Sequence, residues 1–224
     1  MFRGFEKVDE GTGFLWVVLG RDEPGKVTWA PAVLEAAADH GLKLAKGGRL
    51  IDTSAGEHTL RDVEMEVGID AEAASQLRTP SLDRLMECVV RAGQGAVNPA
   101  SPLVAPGVVE AGLIVPQATA DGFAAGPITG WWAHGFNLRA LTLQSGAYVP
   151  PHARAEEEVI FIQSGTLEVS WGADDQNGDS LIMGAGDTLT VPVGLQHGFR
   201  NTASVPCEAV VVRGSDDPAM PVFG

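Results

Sequence analysis

Basic residues and long hydrophobic runs are scarce in this 224-residue chain. Its 15 lysines and arginines stand against 29 acids, which gives a formal net charge of −14. A surface of this sign repels phosphate backbones and anionic lipids, so we expect neither nucleic acid nor a membrane surface as a partner. The longest early apolar run, residues 14–19, is too short to span a bilayer, and residues 1–7 lack the apolar core of a signal peptide. These features predict a cytoplasmic protein.

Cysteine is also rare. The only two, Cys88 and Cys207, lie far apart in unrelated sequence contexts. We therefore expect buried free thiols in preference to a disulfide or a catalytic nucleophile.

Glycine and proline are abundant instead. The chain has 28 glycines and 14 prolines between short apolar runs, and 45% of its residues are hydrophobic. That content is enough for a real core, and the frequent turn residues favour strands over long helices. The composition predicts a mainly β protein.

The first stretch of the chain, up to about residue 93, has a mixed pattern. Residues 14–19 predict a strand, and residues 30–41 predict a helix with a glycine at its C-terminal end. A second helix is predicted over 79–89, with a proline in its first turn. Weaker strand candidates are residues 49–52 and 63–69.

The next two stretches differ in composition. Residues 93–130 are rich in Gly, Ala and Pro, carry only Glu110 and Asp121 as charges, and predict irregular covering structure with short strands near 113–115. From residue 131 onward, short strands alternate with turns, at 138–143, 159–163, 166–171, 188–191 and 209–212. We predict an N-terminal α+β extension over 1–130, whose strands pair with a barrel sheet, and an antiparallel β-barrel over 131–224.

Three residues of the barrel region have the chemistry of a metal site. An extended chain from His152 to Glu158 would span roughly 20 Å, so a turn over 155–157 has to bring them together on adjacent strands. A second turn, at residues 192–194, delivers His197 to a later strand. Two imidazoles and one carboxylate that converge in this way form a facial triad for a divalent ion with open coordination positions.

The two segments resemble the sequence motifs of the cupin superfamily. The first motif is matched from Gly146 to Gly165, except that Arg154 stands in place of the second histidine. The second motif is matched completely from Gly186 to Asn201. The resemblance implies a jelly-roll β-barrel over about residues 132–218.

The resemblance also implies functional roles. His152, Glu158 and His197 correspond to metal ligands, and the ion would be a divalent transition metal such as Fe, Mn, Ni or Zn. Arg154 and Tyr148, which precedes the ligand turn, are the candidate catalytic residues. Enzymes of this superfamily include dioxygenases, isomerases and decarboxylases, so we expect an enzyme that acts on a small polar or anionic molecule. The alternative is a non-catalytic module, with a degenerate metal site, that binds a small ligand or stabilises a dimer.

Arg154 bears on both alternatives, because an arginine can clamp a carboxylate without any metal. A guanidinium roughly 6 Å from a divalent ion would cost about 5 kcal/mol at an effective dielectric constant near 20. We therefore expect Arg154 to turn toward Glu156 or Glu157 in an empty pocket, and toward an anionic substrate in a filled one.

The two ends of the chain are similar to each other. Residues 2–4 and 16–24 parallel residues 199–201 and 209–218, including a shared Gly-x-Asp-acid-Pro pattern. Chance similarity is one explanation. The other is that the chain is the remnant of a bicupin, in which two barrels follow one another. Residues 14–19 would then pair with a barrel sheet in the same chain or in a homodimer partner, because an exposed strand edge is costly.

Overall fold

The protein is described by a computed structural model that covers residues 7–20, 29–46, 49–54, 64–130, 133–172 and 178–224. The chain divides into two compact units. The first comprises the described residues of Met1–Val18 and Pro24–Ser81, and the second those of Leu19–Glu23 and Leu82–Gly224. None of the helices in the described ranges has the length and apolarity that a membrane crossing requires.

The first unit contains two helices and a small antiparallel pair of strands. Its elements are α1 (Pro31–Asp39), β1 (Leu42–Leu44), β2 (Leu50–Asp52) and α2 (Ala71–Gln76). Helix α1 has a proline in its first turn, and α2 begins at Asp70, whose side chain accepts a hydrogen bond from Ala73 N at 2.7 Å.

The second unit is a jelly-roll sandwich of two antiparallel sheets, which confirms the predicted fold class. It opens with α3 (Leu82–Met86). Its strands are β3 (Ala96–Val97), β4 (Val108–Ile114), β5 (Asn137–Leu143), β6 (Tyr148–Ala153), β7 (Glu158–Ser164), β8 (Thr166–Trp171), β9 (Asp179–Gly184), β10 (Thr188–Val191), β11 (His197–Arg200), β12 (Cys207–Arg213) and β13 (Val222–Phe223). One sheet has the order β10-β7-β12-β5-β4-β3, and the other has the order β13-β6-β11-β8-β9.

The core lies between these two sheets. Alternate residues of facing strands are buried, as in β5, where Asn137, Arg139, Leu141 and Leu143 point inward. At one end of the sandwich the inward side chains are apolar, and they include Ile160, Ile162, Leu167, Val169, Met183, Phe199 and Val211. Each buried side chain of this kind stabilises the fold by about 1.5–3 kcal/mol. Elsewhere the inward positions are polar and charged, and these positions form the candidate site.

Several predicted elements differ from the observed ones. Residues 14–19 lie outside every strand of the described part, and Phe14 and Leu19 are 71% and 72% exposed. The sheet pairing that a bicupin remnant requires is therefore not seen, and residues 2–4 and 21–24 of the proposed echo lie outside the described residues. The helix predicted over 79–89 is reduced to the five residues of α3.

The apolar stretch after residue 93 is more regular than predicted. It contributes the seven-residue strand β4, which pairs with β5 over most of its length. Strand β9 was not predicted. It is an edge strand whose side chains are mostly exposed, so it lacks the alternation that marks a half-buried strand. Both cysteines are free, but only Cys207 is buried, because Cys88 follows α3 at the surface.

Candidate metal centre

Three candidate ligands converge from both sheets. His152 on β6 and His197 on β11 are directly opposite each other in one sheet, whereas Glu158 is the first residue of β7 in the other sheet. The ligating atoms of the three side chains lie within 4.8 Å of one another, and all three residues are buried. His152 and Glu158 thus face each other across the sandwich, and the expectation that they lie on adjacent strands is wrong.

A bulge in β6 explains how His152 reaches the interior. The register of β6 against β11 shifts between His197, which pairs with His152, and Phe199, which pairs with Val149. Two residues of β6, Pro150 and Pro151, therefore lie opposite the single residue Gly198 of β11, and both Val149 and His152 face the core although they are three positions apart. Residues 150–151 of the bulge are both proline, and prolines are tolerated where ladder hydrogen bonds are interrupted.

The backbone fixes the orientation of both imidazoles. Nδ1 of His152 lies 3.0 Å from the carbonyl oxygen of Pro150, and Nδ1 of His197 lies 2.9 Å from that of Leu195. A carbonyl oxygen only accepts hydrogen bonds, so each Nδ1 carries a proton and donates it. In a neutral ring, Nε2 then has a free lone pair directed into the site, as in a metal ligand supported by a backbone carbonyl.

Both histidines are held in the neutral form. Burial, followed by the neighbouring His197, lowers the pKa of His152 to about 3. Burial and the positive charge of Arg154 also lower the pKa of His197 below its usual value. A neutral imidazole is the form that binds a metal ion.

The contact between His197 and Glu158 tests whether a metal ion fits. Nε2 of His197 lies 3.0 Å from Oε2 of Glu158, and neither atom has a hydrogen bond within the described residues. Since Nε2 is unprotonated, two acceptor lone pairs face each other in a buried place, an arrangement that a cation between them relieves. Two donors about 2.1 Å from one ion and at right angles lie about 3 Å apart. The residues present therefore fit a divalent metal.

The other oxygen of Glu158 faces two arginines. Nη1 of Arg213 is in ion-pair contact with Oε1, and Nε of Arg154 lies 3.4 Å from the same atom. Burial and the nearby charge of Arg154 lower the pKa of Arg213 to about 10, so Arg213 remains protonated at neutral pH.

Arg154 is buried among carboxylates. Its Nη1 lies 3.2 Å from Glu156 and 3.3 Å from Asp121, and it also donates to the carbonyl oxygen of Ala219 at 3.1 Å. The contact with Glu156 is one of the two that the sequence suggested, whereas the contact with Asp121 was not predicted. Nη2 of Arg154 is buried without a hydrogen-bond acceptor among the described residues. The side chain therefore has a donor to spare beside the candidate ligands.

A second layer of buried charges surrounds these residues. Arg139 forms a two-point ion pair with Asp121 at 2.6 and 2.9 Å, and Nη2 of Arg213 lies 2.8 Å from Glu110, which also accepts a hydrogen bond from Ser101. Burial alone would raise the pKa of both carboxyl groups, but their arginine partners lower it below its usual value. Both carboxylates are therefore charged at neutral pH.

Sequence reasoning did not assign these second-layer residues to the site, although signals for them exist. Glu110 and Asp121 are the only charges in the otherwise apolar residues 93–130, and such isolated charges are rarely buried without partners. Arg139 and Arg213 occupy inward positions of strands whose other inward residues are mostly apolar.

Tyr148 does not join the cluster. Its neighbour Val149 faces the core, so Tyr148 points to the outer face of the sheet, where the Arg200 guanidinium lies 4.9 Å from its ring centre. It lines a cavity of about 260 Å³ together with Glu168 and Ser170, and His197 also contributes to the wall of this cavity. The sequence predicted that Tyr148 faces the ligand pocket, because it precedes the ligand turn. The bulge that turns the side chain of His152 inward instead leaves that of Tyr148 on the outer face of the sheet.

Comparison with known proteins agrees with the sequence motifs. Residues 140–213 match the family model of the cupin domain. A search of curated proteins finds no match to this chain.

Similar solved structures have low sequence identity to this chain. The polyketide cyclase RemF from Streptomyces resistomycificus is 18% identical with a TM-score of 0.47, and the match covers 60% of this chain and 83% of that one. An oxalate oxidase is 19% identical with a TM-score of 0.45, covering 81% and 77%. An RmlC-like cupin from Shewanella frigidimarina is 17% identical with a TM-score of 0.39, covering 56% and 88%.

Proposed function

Since residues 140–213 match the family model of the cupin domain, we propose that the C-terminal domain is a metal-binding enzyme that acts on a small anionic molecule. The ligands are His152, Glu158 and His197, and the cofactor is a divalent transition metal such as Fe, Mn, Ni or Zn. The observation that carries the proposal is the 3.0 Å contact between Nε2 of His197 and Oε2 of Glu158, neither of which has a hydrogen bond among the described residues.

The residues around the ligands prepare the site for that ion. The carbonyl oxygens of Pro150 and Leu195 fix the imidazole tautomers, so no proton has to leave a histidine when a metal binds. When bound, a divalent ion polarises substrate oxygen atoms and, for redox-active metals, exchanges electrons with the substrate or with O₂. Whether the reaction is that of a dioxygenase, an isomerase or a decarboxylase stays a prediction of the sequence motifs.

The charge balance of the interior supports an anionic substrate. The buried network contains three guanidinium groups and four carboxylates, a net charge of −1, from Arg139, Arg154, Arg213, Glu110, Asp121, Glu156 and Glu158. A divalent ion changes this to +1, and a monoanion restores neutrality. Nη2 of Arg154, which is buried and has no acceptor in the part of the chain that the structure describes, is the donor that we assign to the substrate.

Metal analysis of the full chain tests the proposed function. We expect near-stoichiometric transition metal in protein purified without chelators, and its loss in His152→Ala and His197→Ala, because each variant removes one of only three ligands. His40→Ala is the matched control, since His40 is an exposed residue at the end of α1. Wild-type protein that holds only traces of metal and cannot be reloaded would rule out this function.

A non-catalytic anion-binding module is the second candidate. Arg154 replaces a motif histidine, and Arg154 and Arg213 both contact Oε1 of Glu158, so the pocket holds two cations before any metal enters. In that case acetate or pyruvate would raise the melting temperature of chelator-treated protein as much as that of metal-loaded protein. An enzyme of the first kind requires the metal for this effect.

We also propose that the chain forms a homodimer. Residues 14–19 expose large apolar side chains, among them Phe14, Val17 and Leu19, each more than 60% accessible in the single chain. Exposed apolar side chains that follow one another along the chain in this way are typical of an interaction surface. The cytoplasmic location stays a prediction from the N-terminal residues.

A further inference from the structure

The two oxygens of Glu158 have different surroundings. Oε2 faces Nε2 of His197, on the side of the candidate ligands, whereas Oε1 faces the guanidinium groups of Arg213 and Arg154. A carboxylate whose oxygens are both free can bind a metal through either one or through both. In Glu158, Oε1 already has Arg213 and Arg154 as partners.

We infer that Arg213 is a positioning residue that makes Glu158 a one-oxygen ligand, and that Glu110 holds Arg213 in place. This inference rests on the proposed metal site. It concerns residues that lie outside the set of candidate ligands.

The strand register aligns Arg213 with Glu158. Arg213 is the last residue of β12 and lies directly opposite Glu158, the first residue of β7. Directly opposed residues on antiparallel strands have Cβ atoms about 5 Å apart and on the same face of the sheet. The backbone ladder, rather than a flexible loop, therefore determines the approach of Nη1 to Oε1.

Glu110 anchors the other side of the guanidinium. Nη2 of Arg213 lies 2.8 Å from Oε1 of Glu110, and the remaining oxygen of Glu110 accepts a hydrogen bond from Ser101. Arg213 and Glu110 are both completely buried. Arg213 thus uses two different nitrogens for two carboxylates, a geometry that the planar guanidinium provides and a lysine ammonium does not.

Two effects of Arg213 on metal binding have opposite signs. Its charge repels a divalent ion, whereas its contact with Oε1 holds Glu158 in the orientation that binds the ion. Arg213→Lys separates the two effects, because it keeps the charge and loses the two-point contact. If charge alone matters, Arg213→Lys binds metal like the wild type.

The experiment measures Co²⁺ affinity and the visible Co²⁺ spectrum of the full chain. We expect Arg213→Lys to bind Co²⁺ about 10- to 100-fold more weakly, the range for loss of a group that supports a metal ligand. We also expect a changed absorption spectrum, because Oε1 of Glu158 then keeps only the 3.4 Å contact with Nε of Arg154 and can bind the ion together with Oε2. Glu110→Gln, which keeps Arg213 but weakens its anchor, should lie between Arg213→Lys and the wild type.

The control is Arg91→Lys. Arg91 is an exposed residue of the second unit, and no contact joins it to the charge network of the site among the described residues. The same type of substitution is made there, and we expect Co²⁺ affinity and spectrum close to those of the wild type.

Three results would overturn the inference. If Arg213→Lys has the same Co²⁺ affinity and spectrum as the wild type, the contact between Arg213 and Glu158 does not position Glu158. If Arg213→Lys does not fold, unchanged Co²⁺ binding in Glu110→Gln would count against the inference in the same way. If the wild type binds no Co²⁺, the proposed metal site itself fails, and the positioning role fails with it.

Discussion

At the scale of single residues, Arg154 decides how this site differs from the motif it resembles. It stands where the motif has a second histidine, yet it points into the interior, where it contacts Asp121, Glu156 and Glu158. The guanidinium group of Arg154 would repel a bound metal ion, but the negative charges of these three carboxylates offset that repulsion. An arginine in this position is therefore compatible with a three-ligand centre.

Replacement of Arg154 by histidine should strengthen metal binding and weaken anion binding. The imidazole can supply the fourth ligand, and the spare guanidinium donor is lost. Both effects are measured on one variant by Zn²⁺ titration and by the melting-temperature shift with acetate in metal-loaded protein.

Arg154→Met is the control for this prediction, because it removes the charge without adding a ligand. We expect tighter Zn²⁺ binding in Arg154→His than in Arg154→Met. Equal Zn²⁺ affinity in the two variants would mean that relief of repulsion, and not a new ligand, explains the change. Unchanged acetate binding in Arg154→His would remove Arg154 from the substrate site.

At the scale of elements, tight turns hold the ligand strands in place. Gly165 is the single residue between β7, which begins at Glu158, and β8, and its φ of +76° is a conformation that favours glycine. A Cβ atom at this position would lie 2.4 Å from the carbonyl oxygen of Pro206. Gly146, the other glycine of the same motif, has a φ of +77°, but no atom of the described residues lies within 4 Å of the corresponding Cβ position.

These two glycines allow a matched comparison of stability. The left-handed conformation costs an alanine about 1–2 kcal/mol, which applies to both positions. We expect Gly146→Ala to lose about that much unfolding free energy and Gly165→Ala to lose at least twice as much, because the second variant adds a clash with backbone. Urea unfolding followed by tryptophan fluorescence measures the unfolding free energy of both variants. Equal losses would show that the backbone at Pro206 moves away from the added Cβ atom without a loss of stability.

At the scale of the whole molecule, net charge and exposed apolar surface act against each other. A formal charge of −14 makes two copies repel, while the apolar side chains of residues 14–19 favour association. Salt screens the repulsion between the charged copies but does not weaken the association of the apolar side chains.

We therefore expect a dimer whose formation is favoured by salt. Light scattering of the wild type at tens of micromolar protein should give twice the chain mass, 46.8 kDa from 23.4 kDa per chain. Phe14→Asp combined with Val17→Asp should give monomers, and Val205→Asp, an exposed apolar position outside residues 14–19, should leave the dimer intact. A monomeric wild type at high salt, or a dimer that survives the double substitution, would contradict this interface.

The fold class and the candidate ligands follow from the amino-acid sequence alone. The alternation of apolar residues and turn glycines identified most strands of the second unit, since a half-buried strand has a period of two. The motif spacing identified His152, Glu158 and His197, because glycine and proline turns at fixed distances restrict where the intervening side chains lie.

The groups that surround the ligands, in contrast, are defined by long-range contacts in the folded chain. Glu110 and Asp121 lie more than 30 residues before the first ligand, and their partners Arg213 and Arg139 lie on other strands, so no local pattern connects them. The outward position of Tyr148 depends on a bulge between two paired strands. Buried charge pairs and strand register arise from contacts between distant parts of the chain. Local sequence periodicity therefore cannot predict them.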